Sequence, residues 1–472
     1  MPSRAVLCCL FAAASLRAAV TLAPPFTDHA VLQQGMPVPV WGRAQPGERV
    51  SVAFAGQKVG AVAGADGRWA VLLAPLAPSA TGADLEVAGA KSSLSRHDVV
   101  VGEVWLCSGQ SNMEFPVDDS HGGQFLLQNA AAEVAAARWP LIRQFEVGRK
   151  AAPAPADEAA GSWVPCSPET VAKFSAVGYF FARDLHRRLG VPVGIIDSTW
   201  GGTPLEAWTG ARTLASDPAF AVVGERWAKG SPVYLHRPSW EPASLFNGMI
   251  NPLLPYALRG ALWYQGESNT NRAAEYHRLF AAMIGEWRES FGQEELPFYW
   301  VQLAAYVDPK NPADNSWPYL REAQAQTLSL PATGMAVTMD IGDAKTVHPH
   351  NKQEVGRRLA LIAKAKVYGI TGDYSGPVFE SAEREGSALR VRFLYADTGL
   401  TSADKPLQSF EVAGADRKFH PASAAIAGAT VVVRAPEVPA PVAVRYAWRD
   451  YAEANLYDGA GLPAAPFRSD GW

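Results

Sequence analysis

Apolar residues change their period twice along this chain, and each change marks a different kind of structure. From residue 20 to about 98 they come in short runs: Val38-Pro39-Val40-Trp41-Gly42, Val50–Phe54, Trp69–Leu73 and Leu85-Glu86-Val87, parted by Gly, Pro and Asp turns. Runs recurring about every dozen residues predict a β-sandwich-like domain over 20–98. From 99 to 370, continuous apolar strands alternate with helical stripes, the pattern of a parallel α/β sheet. Val104–Cys107, Val193–Ile196, Gly260–Tyr264, Phe298–Leu303 and Met335–Met339 read as strands covered on both faces. Phe174, Val177, Phe181, Leu185 and Leu189 mark one helix face ended by Gly190, and Tyr276, Phe280, Ile284 and Trp287 stripe another. Asn351 with Glu354 predicts a capped helix start, continued through Val355, Leu359 and Ile362. Over 371–472 strands return at Ala388–Leu394, Ser409–Val412, Thr430–Arg434 and Val442–Trp448. This C-terminal β-rich region is either a second domain or the closing half of the first. The Ala- and Pro-rich stretch Ala151–Ala160 reads as a surface loop.

The first residues follow another rule. Arg4, the apolar run Ala5–Leu16 and the small residues Ala18-Ala19 make residues 1–19 a secretory signal peptide, with Arg17 an awkward neighbour for the cleavage site. The run is too short to span a bilayer, and no later run replaces it. The expectation is a periplasmic or secreted protein without membrane insertion. A length of 472 residues suits about three domains. The net charge of −4 and the absence of a basic run interleaved with aromatics argue against a nucleic-acid partner. Cys8 and Cys9 leave with the signal; Cys107 and Cys166 remain, and either one disulfide or two buried thiols suits them. No C-x-x-C or His/Cys cluster points to zinc, and no metal or organic cofactor is expected.

The chemistry gathers after the strands. Ser108-Gly109-Gln110-Ser111-Asn112-Met113 follows Val104–Cys107, where a glycine turn can present a hydroxyl at the carboxyl edge of an open sheet. Trp200-Gly201-Gly202-Thr203 and Trp263-Tyr264-Gln265-Gly266-Glu267-Ser268-Asn269 place glycines and amides after two further apolar runs, and Asp340, Asp343 and His348-Pro349 add acid and imidazole. Serine acyl transfer needs a base for the hydroxyl proton, a group that orients the base, and donors for the oxyanion.

Four blocks, Ser108–Met113, Trp200–Trp208, Trp263–Asn269 and His348-Pro349, resemble those of the sialate O-acetylesterase-like branch of the SGNH hydrolases, which includes bacterial carbohydrate acetylesterases. The likeness runs from about Gly102 to Leu361 and touches the C-terminal Leu462-Pro463-Ala464 and Pro466–Asp470. It implies a flavodoxin-like SGNH three-layer α/β sandwich with flanking all-β N- and C-terminal regions. It also implies a serine-type O-acetylesterase acting on a glycan, a plant-wall polysaccharide or a sialic acid, through an acetyl-enzyme. By the same resemblance Ser111 rather than Ser108 is the nucleophile and His348 rather than His350 the base. The oxyanion hole would combine Ser111, Gly201 and Gly202 with the amide of Gln265, or else of Asn269, supported from behind by Glu267 and Asn112. Many members carry an aspartate three residues before the histidine; here that residue is Lys345, so Asp343 is the expected acid, with Asp340 or a Ser–His dyad as alternatives. Trp105, Trp200, Trp208, Trp263 and His121 lie in or near the blocks, where aromatics serve core or sugar stacking alike. The chain between Trp208 and Leu245 is short where some relatives carry an extra domain, which implies a more open site. Another SGNH ester or lipid hydrolase, or an inactive glycan-binding module, is the competing reading.

Overall fold

The computed structural model describes residues 19–119, 122–123, 125–228, 237–309 and 315–472. Residues 1–18 of the expected signal peptide 1–19, and His121, lie outside them. At the centre is a mixed α/β body whose sheet runs, in spatial order, Trp163–Cys166, Trp139–Glu146, Val193–Thr199, Ser93–Gly109, Gly260–Tyr264, Phe298–Val301 and Thr333–Ala336. All neighbours are parallel except the edge strand Trp163–Cys166.

Alternation along these strands assigns each face its partners. Trp105, Cys107, Leu262 and Tyr264 pack with the helices Ala176–Leu189 and Lys352–Lys366 through Val177, Phe181, Val355 and Leu359. Val104, Leu106, Ala261 and Trp263 face the other way, toward Phe280 and Trp287 of helix Ala273–Ser290. Trp263, Phe280, Trp287 and Trp300 form a connected set of aromatic contacts there. Full burial of each such ring is worth roughly 1.5–3 kcal/mol. Both remaining cysteines are free and buried, so neither face relies on a disulfide.

The change from β region to α/β region involves no break in the chain. Ser93–Gly109 is one strand of 17 residues. Its first half pairs with Ser79–Ala88 and with Val31–Gln33, and its second half is the middle of the parallel sheet. The N-terminal strands Val38–Arg43, Arg49–Phe54, Arg68–Leu73 and Ser79–Ala88 contain the four expected runs. At the other end, Val378–Glu385, Ala388–Leu394, Thr430–Arg434 and Ser423–Ala427 form one four-stranded sheet, and Phe410–Ala413 and Ala443–Tyr446 belong to another.

Two strands of the central sheet end earlier than expected, Phe298–Leu303 at Val301 and Met335–Met339 at Ala336. The run Met335–Met339 pairs only as Thr333–Ala336, because the neighbouring strand ends at Val301, opposite Ala336. Met339–Ile341 is instead a tight 3₁₀ turn, which lifts Asp340 out of the sheet.

Candidate active site

The strand order turns at Ser93–Gly109. From it the chain goes one way to Trp139–Glu146 and Val193–Thr199, then crosses to Gly260–Tyr264 on the other side. Ligand crevices of open α/β sheets form outside the carboxyl ends of strands at such a point. Three strand ends coincide here, since Gly109 stands opposite both Thr199 and Tyr264. The Gln110 N–H donates to Tyr264 O at 3.0 Å and the Trp200 N–H to Gly109 O at 3.1 Å, which ties the three turns together. Gly109 must be glycine: its φ is +132° and a Cβ would lie 2.3 Å from Tyr264 O.

The short helix Ser111–Glu114 starts at once after this turn. Ser111 is half-buried, and its Oγ lies 2.8 Å from His348 Nε2. The histidine arrives on the loop before helix Lys352–Lys366, which Asn351 caps by accepting the Glu354 N–H at 3.1 Å. Phe125 meets the imidazole edge-on, with ring centroids 4.9 Å apart. Burial pushes the His348 pKa down to about 4, and the charge of Lys352 adds to the shift. The imidazole is therefore neutral at ordinary pH and able to accept the serine proton. The rivals stand elsewhere: Ser108 is buried and donates to Ser198 O at 2.6 Å, and His350 is exposed.

Gly201 packs against this helix, where a Cβ would stand 3.3 Å from Ser111 Cβ. Among the described residues, the N–H groups of Ser111, Gly201 and Gly202 donate to no protein acceptor. Gln265 is placed differently from the expectation. It is fully buried, its Nε2 donates to Asn269 Oδ1 at 2.7 Å and Thr203 O at 3.2 Å, and its Oε1 accepts from the Tyr276 hydroxyl. Asn269 likewise donates to Glu206 at 2.8 Å while accepting from the Leu205 N–H. Both amides therefore hold the Trp200 and Trp263 blocks to each other through partners within the protein. Tertiary partners, which the order of residues does not show, decide this.

The expected acids are also engaged away from the imidazole. Asp340 forms a bidentate pair with Arg358, both contacts 2.7 Å, and Asp343 accepts the Lys345 N–H at 2.7 Å. Among the described residues, no carboxylate hydrogen-bonds to His348. Behind the pair lies a polar chain that the sequence hides in part. Asn112 Nδ2 donates to Glu267 Oε1 at 2.5 Å and to Val347 O at 3.0 Å, and Asn112 Oδ1 accepts from Lys352 Nζ at 2.5 Å. Lys352 is fully buried between the rings of Phe115 and Tyr264. Its one sequence signal is local: a lysine opening a helix opposes the helix dipole.

A cavity of about 570 Å³ is lined by Glu114, Phe125, Glu146, Arg149, Lys173 and Asp197 among others; Glu114 ends the Ser111 helix and Phe125 is the ring that meets His348. Burial pushes the Asp197 carboxyl up to about 7. Among the described residues no three or more His, Cys, Asp or Glu side chains gather as a metal ion would require, and no helix among them is long and apolar enough to cross a membrane.

A serine hydroxyl on a neutral imidazole, at the carboxyl edge of an α/β sheet and beside unpaired backbone donors, is the equipment of an ester hydrolase. Residues 101–364 match the family model described as carbohydrate esterase, sialic acid-specific acetylesterase. The sialate O-acetylesterase of Homo sapiens is 32% identical over 91% of this chain and 88% of its own length. That of Rattus norvegicus is 31% identical over 91% and 90%. The crystal structure of a carbohydrate acetylesterase from Xanthomonas citri superposes with a TM-score of 0.86 at 40% identity, covering 96% of this chain and all of that one. The chain belongs to this carbohydrate esterase family and is a carboxylic ester hydrolase.

Proposed function

We propose that the protein is a serine-type carbohydrate O-acetylesterase of the SGNH architecture, its helices forming layers on both faces of the central sheet. The 2.8 Å contact between Ser111 Oγ and His348 Nε2 carries this reading. His348 takes the hydroxyl proton as Ser111 Oγ attacks the acetyl carbonyl. The proton then passes to the departing sugar oxygen, leaving an acetyl-enzyme at Ser111. Water attacks next, giving its proton to His348; the tetrahedral intermediate collapses, Ser111 Oγ regains that proton and acetate leaves. The backbone N–H groups of Ser111 and of Gly201 or Gly202 receive the oxyanion, each donor contributing about 3 kcal/mol to the transition state. Ser111 and His348 act as a dyad, with the imidazole held by Phe125 and by its own loop. Gln265 acts as a strut that sets where Gly201 and Gly202 lie.

The sugar occupies the cavity beside Glu114 and Phe125, whose carboxylates and cations suit hydroxyl-rich ligands. The relatives' names point to O-acetylated sialic acids in one case and to acetylated carbohydrate generally in the other. Acetate release from acetylated xylan, acetylated xyloglucan and O-acetylated sialic acids, measured side by side, tests the substrate class. Equal inertness toward all three, with a simple aryl acetate still cleaved, would move the enzyme out of carbohydrate chemistry. Export belongs to the same reading, and N-terminal mass mapping of exported protein tests it: a mature chain still beginning at Met1 would refute the leader.

A further inference from the structure

The dyad leaves open what holds the His348 loop in place, and one buried side chain has no other task. Lys352 can only donate when charged, and the Val347 carbonyl can only accept. Asn112 lies between them, so its amide can point only one way: oxygen to Lys352 Nζ at 2.5 Å, nitrogen to Val347 O at 3.0 Å. The same nitrogen meets Glu267 Oε1 at 2.5 Å. Asn112 follows Ser111 directly, and Val347 precedes His348 directly. The amide therefore joins the neighbour of the nucleophile to the neighbour of the base.

We propose that Lys352, acting through Asn112 and balanced by Glu267, is a positioning residue of the reaction, fixing the Val347–His348 backbone against the helix of Ser111 where no carboxylate orients the imidazole. This rests on the Ser111–His348 reading above. Lys352 also faces the imidazole electrostatically. Burial pushes its own pKa down to about 7, while Glu267 opposes that shift. The other groups around His348 are Ser111 and Asn112 from the short helix, the Phe125 ring, Thr346 within the loop, and Asp343 and Lys345 further back along it.

The test compares Lys352→Met with the double variant Lys352→Met/Glu267→Gln, using an aryl acetate and the full chain. The double variant leaves no unpaired buried charge, so it folds even where the single variant is marginal. Both should lose kcat by roughly 10- to 100-fold with KM within about twofold, the signature of a misplaced base. The acid limb of kcat/KM should move to higher pH, because one positive charge facing the imidazole is gone. Wild-type kcat and an unmoved acid limb in the double variant would overturn the proposal, even with a lowered melting temperature. Ser111→Ala, run in parallel, separates the two claims: if it stays active the dyad reading has failed, whereas positioning fails alone if only the lysine variants do.

Discussion

The turns after Ser93–Gly109 and after Gly260–Tyr264 are adjacent, and in sequence they look alike. Each follows a buried apolar strand, each contains a glycine, and each carries Gln, Ser and Asn within a few residues. In three dimensions they do opposite things. At the first, Ser111 faces an imidazole and its backbone N–H is left for a ligand. At the second, Gln265 and Asn269 are fixed by Thr203, Tyr276, Leu205 and Glu206. A polar residue after a buried strand is therefore reactive or structural according to how many partners the neighbouring turns supply. A donor already paired in a dry site offers a substrate nothing without breaking a bond worth about 1 kcal/mol net, and more if it is left unsatisfied.

The largest effect that tests this contrast is at the first turn. Ser111→Ala should lower kcat by about 10⁴ or more with the fold intact, since the half-buried hydroxyl contributes chemistry and little packing. Ser108→Ala, which removes only a donor to Ser198 O, should keep most activity. The reverse ranking, read from initial rates on an aryl acetate, would move the nucleophile to Ser108.

The pH profile comes next. His348 must be neutral to act as base, and its pKa is lowered from 6.5 to about 4 by burial and then by Lys352. Activity should therefore hold between pH 6.5 and about 5 and fall only as pH drops through about 4. The sign for stability is the same. A histidine charged when unfolded and neutral when folded costs stability progressively as pH falls from 6.5 toward 4. An acid limb of kcat/KM near 6.5 would show an ordinary, solvated imidazole and break the dyad geometry.

At the second turn the expected loss is of another kind. Gln265→Ala removes two donors and one acceptor from a dry network, so it should cost roughly 2–3 kcal/mol of stability. Activity should fall by less than about 10-fold, well short of the roughly 100- to 1,000-fold loss that follows removal of an oxyanion donor. Denaturant unfolding alongside steady-state kinetics measures both. Activity reduced about 100-fold or more, with stability unchanged, would return Gln265 to the oxyanion hole.

How far the sequence reaches follows from the same physics. Strand and helix periods report burial, and burial is what makes Val104–Cys107 or the Phe280 stripe legible. A strand end and a helix cap make the turns that carry Ser111 and His348 readable, but the choice of Ser111 over Ser108 and of His348 over His350 comes only from the family resemblance. Lys352 is not readable, because lysine is ordinarily a surface residue and its burial depends on Phe115, Tyr264 and Asn112 arriving from separate segments. The strand near Met335 reads too long for a related reason: its hydrophobicity continues, but the partner strand does not. The orienting acid is the hardest of all, since an aspartate near a histidine in sequence says nothing about which cation or N–H will claim it first.

That last point carries the smallest expected effect. Asp343 lies in the loop leading to His348, and proximity along the chain makes it the natural acid. Yet its carboxylate accepts the Lys345 N–H, closing a turn two residues long, and Asp340 is bound on both oxygens by Arg358. If either aspartate oriented the imidazole, its asparagine variant would trap the wrong tautomer and lose about 10³–10⁴ in kcat. Neither contact exists, so the two variants should differ from that pattern and from each other. Asp340→Asn weakens a buried ion pair and should cost roughly 1–3 kcal/mol of stability, since Arg358 keeps its 2.8 Å pair with Glu354. Asp343→Asn keeps an acceptor for the Lys345 N–H, and should change kcat by less than about twofold and stability by less than about 0.5 kcal/mol. Single-turnover acetylation of Ser111, followed by mass, separates chemistry from product release in each case. Acetylation slowed about 10³-fold in Asp343→Asn, with the fold unchanged, would mean the loop closes onto the imidazole when substrate binds, and the dyad would become a triad.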